Sequence, residues 1–269
     1  MIKQSFLFVF LWLCCSTALA QQGAPDGEWP TYGGDLGHTR YSPLEQINAE
    51  NFSDLKVAWR FKTDNLGPSP EYRFQATPLV VNGVMYTTGG SRRAVVALDA
   101  RTGELLWKYA LNEGARAANA PRQLSGRGLA LWQDGENTRI IYVTPGYQMI
   151  ALDGSTGRPV QSFGVEGIVD LKQNADQMID LETGEIGLHS TPIVAKDVVI
   201  IGAAHRTGGN PRSRENVKGY VRGFDVRTGE RLWIFHTVPT PGEYGYESWQ
   251  DGSASYTGNT GVWAQISVD

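Results

Sequence analysis

Gly126-Arg127-Gly128-Leu129-Ala130-Leu131-Trp132 holds a guanidinium between two glycines. A guanidinium's planar fork can donate two parallel, charge-assisted hydrogen bonds to one carboxylate. A second stretch, Tyr256-Thr257-Gly258-Asn259-Thr260-Gly261-Val262-Trp263, ends in an indole, and Gly242-Glu243-Tyr244-Gly245-Tyr246-Glu247-Ser248-Trp249 carries another. An indole offers a broad aromatic face to a flat molecule. Ser190, just before Thr191-Pro192, adds a hydroxyl. Gly202-Ala203-Ala204-His205-Arg206-Thr207-Gly208-Gly209-Asn210 adds oxygens at Thr207 and Asn210, and an imidazole at His205 that reads as a loop histidine rather than a metal ligand.

Thiol chemistry is ruled out by position. The two cysteines, Cys14 and Cys15, close an apolar run that starts at Phe6, behind Lys3 in a basic n-region and ahead of small residues at Ala18 and Ala20. That order is a cleavable signal peptide over residues 1–20, too short in its apolar part for a comfortable bilayer span, and it predicts export to the periplasm. The mature chain then has no cysteine for a disulfide, a thiolate nucleophile, or Cys-bound zinc or haem. With 24 basic against 28 acidic residues and no basic run, nucleic acid is not expected as a partner.

An internal repeat supplies the scaffold. Ala97-Leu98-Asp99-Ala100-Arg101-Thr102-Gly103-Glu104-Leu105-Leu106-Trp107 recurs as Gly223-Phe224-Asp225-Val226-Arg227-Thr228-Gly229-Glu230-Arg231-Leu232-Trp233. A third copy, Ala151-Leu152-Asp153-Gly154-Ser155-Thr156-Gly157-Arg158, has Gln161 where the Trp is expected. Thr77-Pro78-Leu79-Val80-Val81-Asn82-Gly83-Val84-Met85-Tyr86 precedes the first copy and is matched by Thr191-Pro192-Ile193-Val194-Ala195-Lys196-Asp197-Val198-Val199-Ile200 before the last. Asn82-Gly83 predicts a type I′ hairpin, and in each Asp-x-x-Thr-Gly turn the carboxylate accepts local N–H bonds while Gly supplies positive φ. The Trp opens the next strand and needs a neighbour to bury it. One sheet cannot cover both of its faces, so the units must stack, and radial stacking of four-stranded sheets is an all-β propeller. A solenoid or β-sandwich is the competing architecture. Asn51-Phe52-Ser53-Asp54-Leu55-Lys56-Val57-Ala58-Trp59-Arg60-Phe61 reads as a closing Trp strand alone, and Val262–Asp269 as a strand stopped at its turn. About three units are countable, so a partial propeller over residues 28–269 is expected, with its ring unclosed and its missing strands elsewhere.

The Ala-x-Asp-x-x-Thr-Gly-x-x-x-Trp repeat resembles the tryptophan-docking motif of dehydrogenases that use pyrroloquinoline quinone (PQQ), whose fold is an eight-bladed propeller. Outer-membrane assembly lipoproteins share the repeat without the quinone, which gives the alternative of a cofactor-free scaffold for protein binding. The lead-in Trp29-Pro30-Thr31-Tyr32-Gly33-Gly34-Asp35-Leu36-Gly37-His38-Thr39-Arg40-Tyr41-Ser42-Pro43-Leu44, the Arg127 element and the Trp263 segment extend the resemblance over nearly all of residues 28–269. It implies a periplasmic enzyme that oxidises a sugar or alcohol hydroxyl by hydride transfer to PQQ and passes electrons to a respiratory quinone or cytochrome.

By the same resemblance Arg127 pairs with a PQQ carboxylate, Trp263 floors the quinone ring, and Ser190 offers a hydroxyl. Alcohol-oxidising members carry two adjacent cysteines where this chain has Pro121-Arg122, which favours the sugar-oxidising branch. The family's Ca²⁺ is implied as well, although Thr207 stands where its first acidic ligand is expected; the ligand set therefore stays unknown. No catalytic residue is assigned in this chain, because the family's Asn ligand and catalytic Asp fall beyond Asp269. These residues alone are expected to be inactive.

Overall fold

The computed structural model describes residues 23, 24, 27–69, 71–206 and 214–269. The predicted signal peptide, Thr207 and Asn210 lie outside them. The described residues form three four-stranded antiparallel sheets, each a simple meander. The first comprises β1 (Leu79–Val81), β2 (Val84–Gly89), β3 (Ala94–Asp99) and β4 (Leu105–Tyr109). The second comprises β5 (Ala130–Asp134), β6 (Asn137–Val143), β7 (Gln148–Asp153) and β8 (Ile168–Asp170). The third comprises β9 (Ile193–Ala195), β10 (Val198–Ile201), β11 (Val221–Asp225) and β12 (Arg231–Phe235). The Asn82-Gly83 hairpin joins β1 to β2 with both residues at positive φ, 52° and 75°, as a type I′ turn requires.

The strands read as apolar runs because the middle sheet is covered on both faces and its neighbours on the face toward it. Alternation along a strand points successive side chains to opposite faces. Ile140 and Tyr142 of β6 pack with Leu79, Val95 and Ala97 of the first sheet. Ile141 and Val143, one residue out of phase, pack with Val199, Ile201 and Phe224 of the third. Burial fades at each outer strand: Leu105 and Leu106 of β4, and Leu232 and Phe235 of β12, are exposed. This face-to-face stack of four-stranded meanders is the blade arrangement of a β-propeller.

Tryptophan docking links the units. Trp107 Nε1 donates to the carbonyl of Gly154 at 2.9 Å, in the turn of the next sheet. Gly157 there has φ 69°, and a Cβ on it would lie 2.4 Å from the Trp107 ring. Trp59 docks likewise, donating to Ala100 O at 3.2 Å over Gly103. Residues 55–61 pair with no sheet among the described residues, and Leu55 and Val57 are left exposed. Val262–Asp269 likewise pairs with no sheet among the described residues. Where Gln161 replaces Trp, Phe163 and Val169 fill the space against Gly229, and Gly164 N donates to Thr228 O at 2.7 Å. A fourth Asp-x-x-Thr-Gly turn, unnoticed in the repeat, occurs at Asp180–Gly184: Asp180 Oδ1 accepts from Glu182 N, Thr183 N and Thr183 Oγ1. It lies in the long connection between β8 and β9, not in a sheet.

Candidate functional site

Each sheet begins two residues after an equivalent position: Thr77 before β1, Gly128 before β5, Thr191 before β9. These starts converge. Thr77 N donates to Arg127 O at 2.9 Å, and Arg127 N donates to His189 O at 3.0 Å. Gly128 sits between with φ 132°, where a Cβ would meet Thr77 O at 2.8 Å, so the close approach requires glycine. Arg127 is thereby fixed by backbone bonds to the leads into the first and third sheets.

Arg93 secures the wall beside it. This buried guanidinium donates to four carbonyls: Val143 at 2.8 Å, Leu124 at 2.9 Å, Leu188 at 2.9 Å and Arg122 at 3.1 Å. Burial lowers its pKa to about 10, against the opposing pull of Glu113, Tyr142 and Glu71. Arg93 and Leu124 hold left-handed φ values of 53° and 67°, and Asn259 and Thr260 across the cavity hold 60° and 52°. Such backbone persists in non-glycine residues only where surrounding contacts enforce it.

The space these segments enclose is an open cavity of about 970 Å³, walled by Arg73, Arg122, Arg127, Arg206, His189 and Trp263 among others. Among the described residues no Asp or Glu lines it. Among the described residues only Arg206 of these four arginines is ion-paired, to Glu185 at 3.8 Å. The excess cation acts on its neighbours. His189, whose Nε2 lies 2.7 Å from Gln75 Oε1, is lowered to about 4, first by burial and then by Arg93, Arg127, Arg122 and Arg73. Arg122 is lowered by burial and by Arg73 and Arg127. His205, also on the wall, falls to about 4 mainly through burial, with a Val217 backbone bond opposing and Arg122 adding. Arg122 Nε, His189 Nδ1 and His205 Nε2 are buried and have no hydrogen-bond partner. Buried polar atoms are rarely left so, and three around one cavity point to a polar ligand.

The sequence-assigned residues divide. Arg127 and Trp263 reach the same cavity, and Trp263 is 57 % exposed, so its face is open. Ser190 is buried between His189 and Thr191 and does not line the cavity, and neither does Trp249. Arg73 and His189 escaped the sequence reading because nothing local marks them, and Arg122 was noted only as a departure from a cysteine pair.

Residues 29–269 match the family model for the β-propeller domain of PQQ-dependent glucose, ethanol and alcohol dehydrogenases. The chain belongs to this family. Among relatives, the dehydrogenase subunit of alcohol dehydrogenase (quinone) from Gluconobacter oxydans (strain 621H) is 35% identical over 239 residues, 88% of this chain and 27% of the relative. Quinoprotein glucose dehydrogenase from Escherichia coli (strain K12) is 30% identical over 224 residues, 78% of this chain and 27% of the relative. The solved quinohemoprotein alcohol dehydrogenase ADHIIG from Pseudomonas putida HK5 aligns with a TM-score of 0.68 at 30% identity, covering 90% of this chain and 33% of that one. The chain thus spans about a quarter to a third of the length of these proteins.

PQQ, a flat tricarboxylate, fits what this PQQ-dehydrogenase propeller presents: unpaired guanidiniums, orphaned buried nitrogens and an open indole around one cavity. A metal ion is not fitted in the same way. Among the described residues no group of three or more His, Cys, Asp or Glu side chains could hold one.

Proposed function

We propose that this cavity seats PQQ, with a carboxylate on Arg127 and the ring plane along Trp263, and that the intact gene product is a periplasmic oxidoreductase acting on a sugar or alcohol hydroxyl. The carrying observation is that Arg127 and Trp263, far apart in sequence, wall one acid-free cavity in a chain of the PQQ family. Bound PQQ supplies the two-electron acceptor for the substrate's hydride. The protein's own residues do the rest. Arg127, its backbone tied to Thr77 and His189, holds the carboxylate in a fixed register. Trp263 supplies the stacking face. His189 stays neutral at working pH and adds no competing charge.

Relatives of both the alcohol and the glucose type match the chain, and Pro121-Arg122 on the cavity wall favours the sugar. The periplasmic assignment is supported by the residue pattern at positions 1–20. Reduced cofactor would be reoxidised by a respiratory quinone or cytochrome. We infer further that residues 21–269 alone bind without turnover, since no carboxylate lines the cavity to take the hydroxyl proton.

The test is to prepare the intact gene product without cofactor, add PQQ with a divalent cation, and follow tryptophan fluorescence together with dye reduction by glucose and by ethanol. Saturable quenching and dye reduction with either substrate are expected. No retention of PQQ would overturn the reading, and dye reduction by residues 21–269 alone would overturn the inference of inactivity.

A further inference from the structure

We propose that Arg122, together with Arg73, forms a second carboxylate-binding subsite in this cavity, separate from the one at Arg127. The loop that carries Arg122 is rigid: Arg93 donates to the carbonyls of both Arg122 and Leu124, at 3.1 and 2.9 Å. Because Arg93 grips the backbone, the Arg122 side chain is free to serve something else. Its Nε is buried and unpartnered. A guanidinium nitrogen withdrawn from water without an acceptor is costly, so an acceptor is missing from the wall.

The charge count agrees. Arg73, Arg122 and Arg127 wall the cavity with no acidic residue among the lining, and the Arg206–Glu185 pair leaves those three unneutralised among the described residues. Burial and the like charges of Arg73 and Arg127 both disfavour the Arg122 cation, which an added anion would reverse. With both oxygens of one carboxylate turned to the Arg127 fork, the Arg122 Nε takes its acceptor from another anion. A second carboxylate meets it.

That carboxylate comes either from PQQ, which has more than one, or from an acidic substrate such as a sugar acid. The first source rests on the proposed function and the second does not. Two titrations of the intact gene product separate them. In one, cofactor-free wild type, Arg122→Gln, Arg73→Gln and Arg127→Gln are titrated with PQQ by fluorescence quenching. In the other, wild type and Arg122→Gln, with and without PQQ, are titrated calorimetrically with D-glucuronate and with D-glucose.

Arg122→Gln is expected to weaken one carboxylate ligand by about tenfold, with Arg73→Gln weaker in the same direction. Loss in the PQQ arm assigns the subsite to the cofactor. Loss for glucuronate with glucose unchanged assigns it to the substrate. A change of less than about threefold in both arms overturns the subsite. Arg122→Lys, which keeps the charge without the fork, should recover part of the affinity, and melting within about 2 °C of wild type certifies each fold. If wild type binds no PQQ at all, the proposed function fails, while the glucuronate arm on the cofactor-free protein still decides Arg122.

Discussion

At the Asp153 turn one carboxylate oxygen accepts from four donors, the backbone N and hydroxyl of Ser155 and of Thr156, at 2.7–3.1 Å. On the cavity wall Arg122 ends in a buried nitrogen with no acceptor, and His189 and His205 each keep one unmet ring nitrogen. The docking turns satisfy themselves within five residues; the cavity pairs His189 Nε2 with Gln75 but leaves these three nitrogens unmet. The sheets leave buried polar atoms unmet singly, at Thr88 Oγ1 and Tyr142 Oη, whereas the cavity wall gathers three, each at a cost of about 1–3 kcal/mol. The contrast separates frame from site without reference to any relative. It also implies that damage to the turns should be read in stability, and damage to the cavity in binding.

The frame should give the largest effect. Trp107→Ala removes the indole that rests on Gly157, and is expected to cost about 2–3 kcal/mol, less than a fully enclosed Trp, measured by urea unfolding. Gly157→Val, which places a branched side chain at φ 69° against the same ring, should match it. An unfolding midpoint unchanged in either variant would mean that docking does not hold the sheets together.

In the cavity, Arg127→Gln should weaken PQQ by about 10- to 100-fold with little change in melting temperature. A large stability loss with intact affinity would place Arg127 in the frame instead. Next comes acid sensitivity. His189 is held near 4 in the folded chain against 6.5 when free, so the unfolded chain takes up its proton first as pH falls. The stability tied to the neutral ring is complete above pH 6.5 and is lost as pH drops from there through about 4. His189→Gln should flatten that slope in a series of denaturant midpoints against pH, and an unaltered slope would remove His189 as its source.

The smallest effect tests the two kinds of turn against each other. Asp153→Ala should cost about 1 kcal/mol, because its turn seats Trp107. Asp180→Ala, in a turn whose carboxylate accepts three such bonds but docks no Trp, should leave the melting temperature unchanged. Equal losses would show that the turn's own bonds matter more than what it carries.

Much of this was legible in the chain. The Asp-x-x-Thr-Gly-x-x-x-Trp spacing was enough for the turns, the docking indoles and the stacking of sheets, because each turn closes through bonds between residues two or three apart. Arg127 and Trp263 stood out through the resemblance of their segments to the PQQ-dependent dehydrogenases. The Asp180 copy shows the limit: the same five-residue pattern forms the same turn, yet whether a turn belongs to a sheet depends on strands that pair with it from outside. Residues 55–61 show it in reverse, a Trp docked in place with no strand beside it.

Which arginines share the cavity was decided only in three dimensions. Arg73 precedes the first sheet, Arg122 and Arg127 lie between the first and second, and Arg206 follows β10; no local pattern relates them. They meet because the leads into β1, β5 and β9 converge on Gly128, and because Arg93, which faces carbonyls rather than the cavity, clamps the loop that carries Arg122. Hydrogen bonds between near neighbours are written in the sequence. The field created by charges from separate sheets exists only once those sheets have packed.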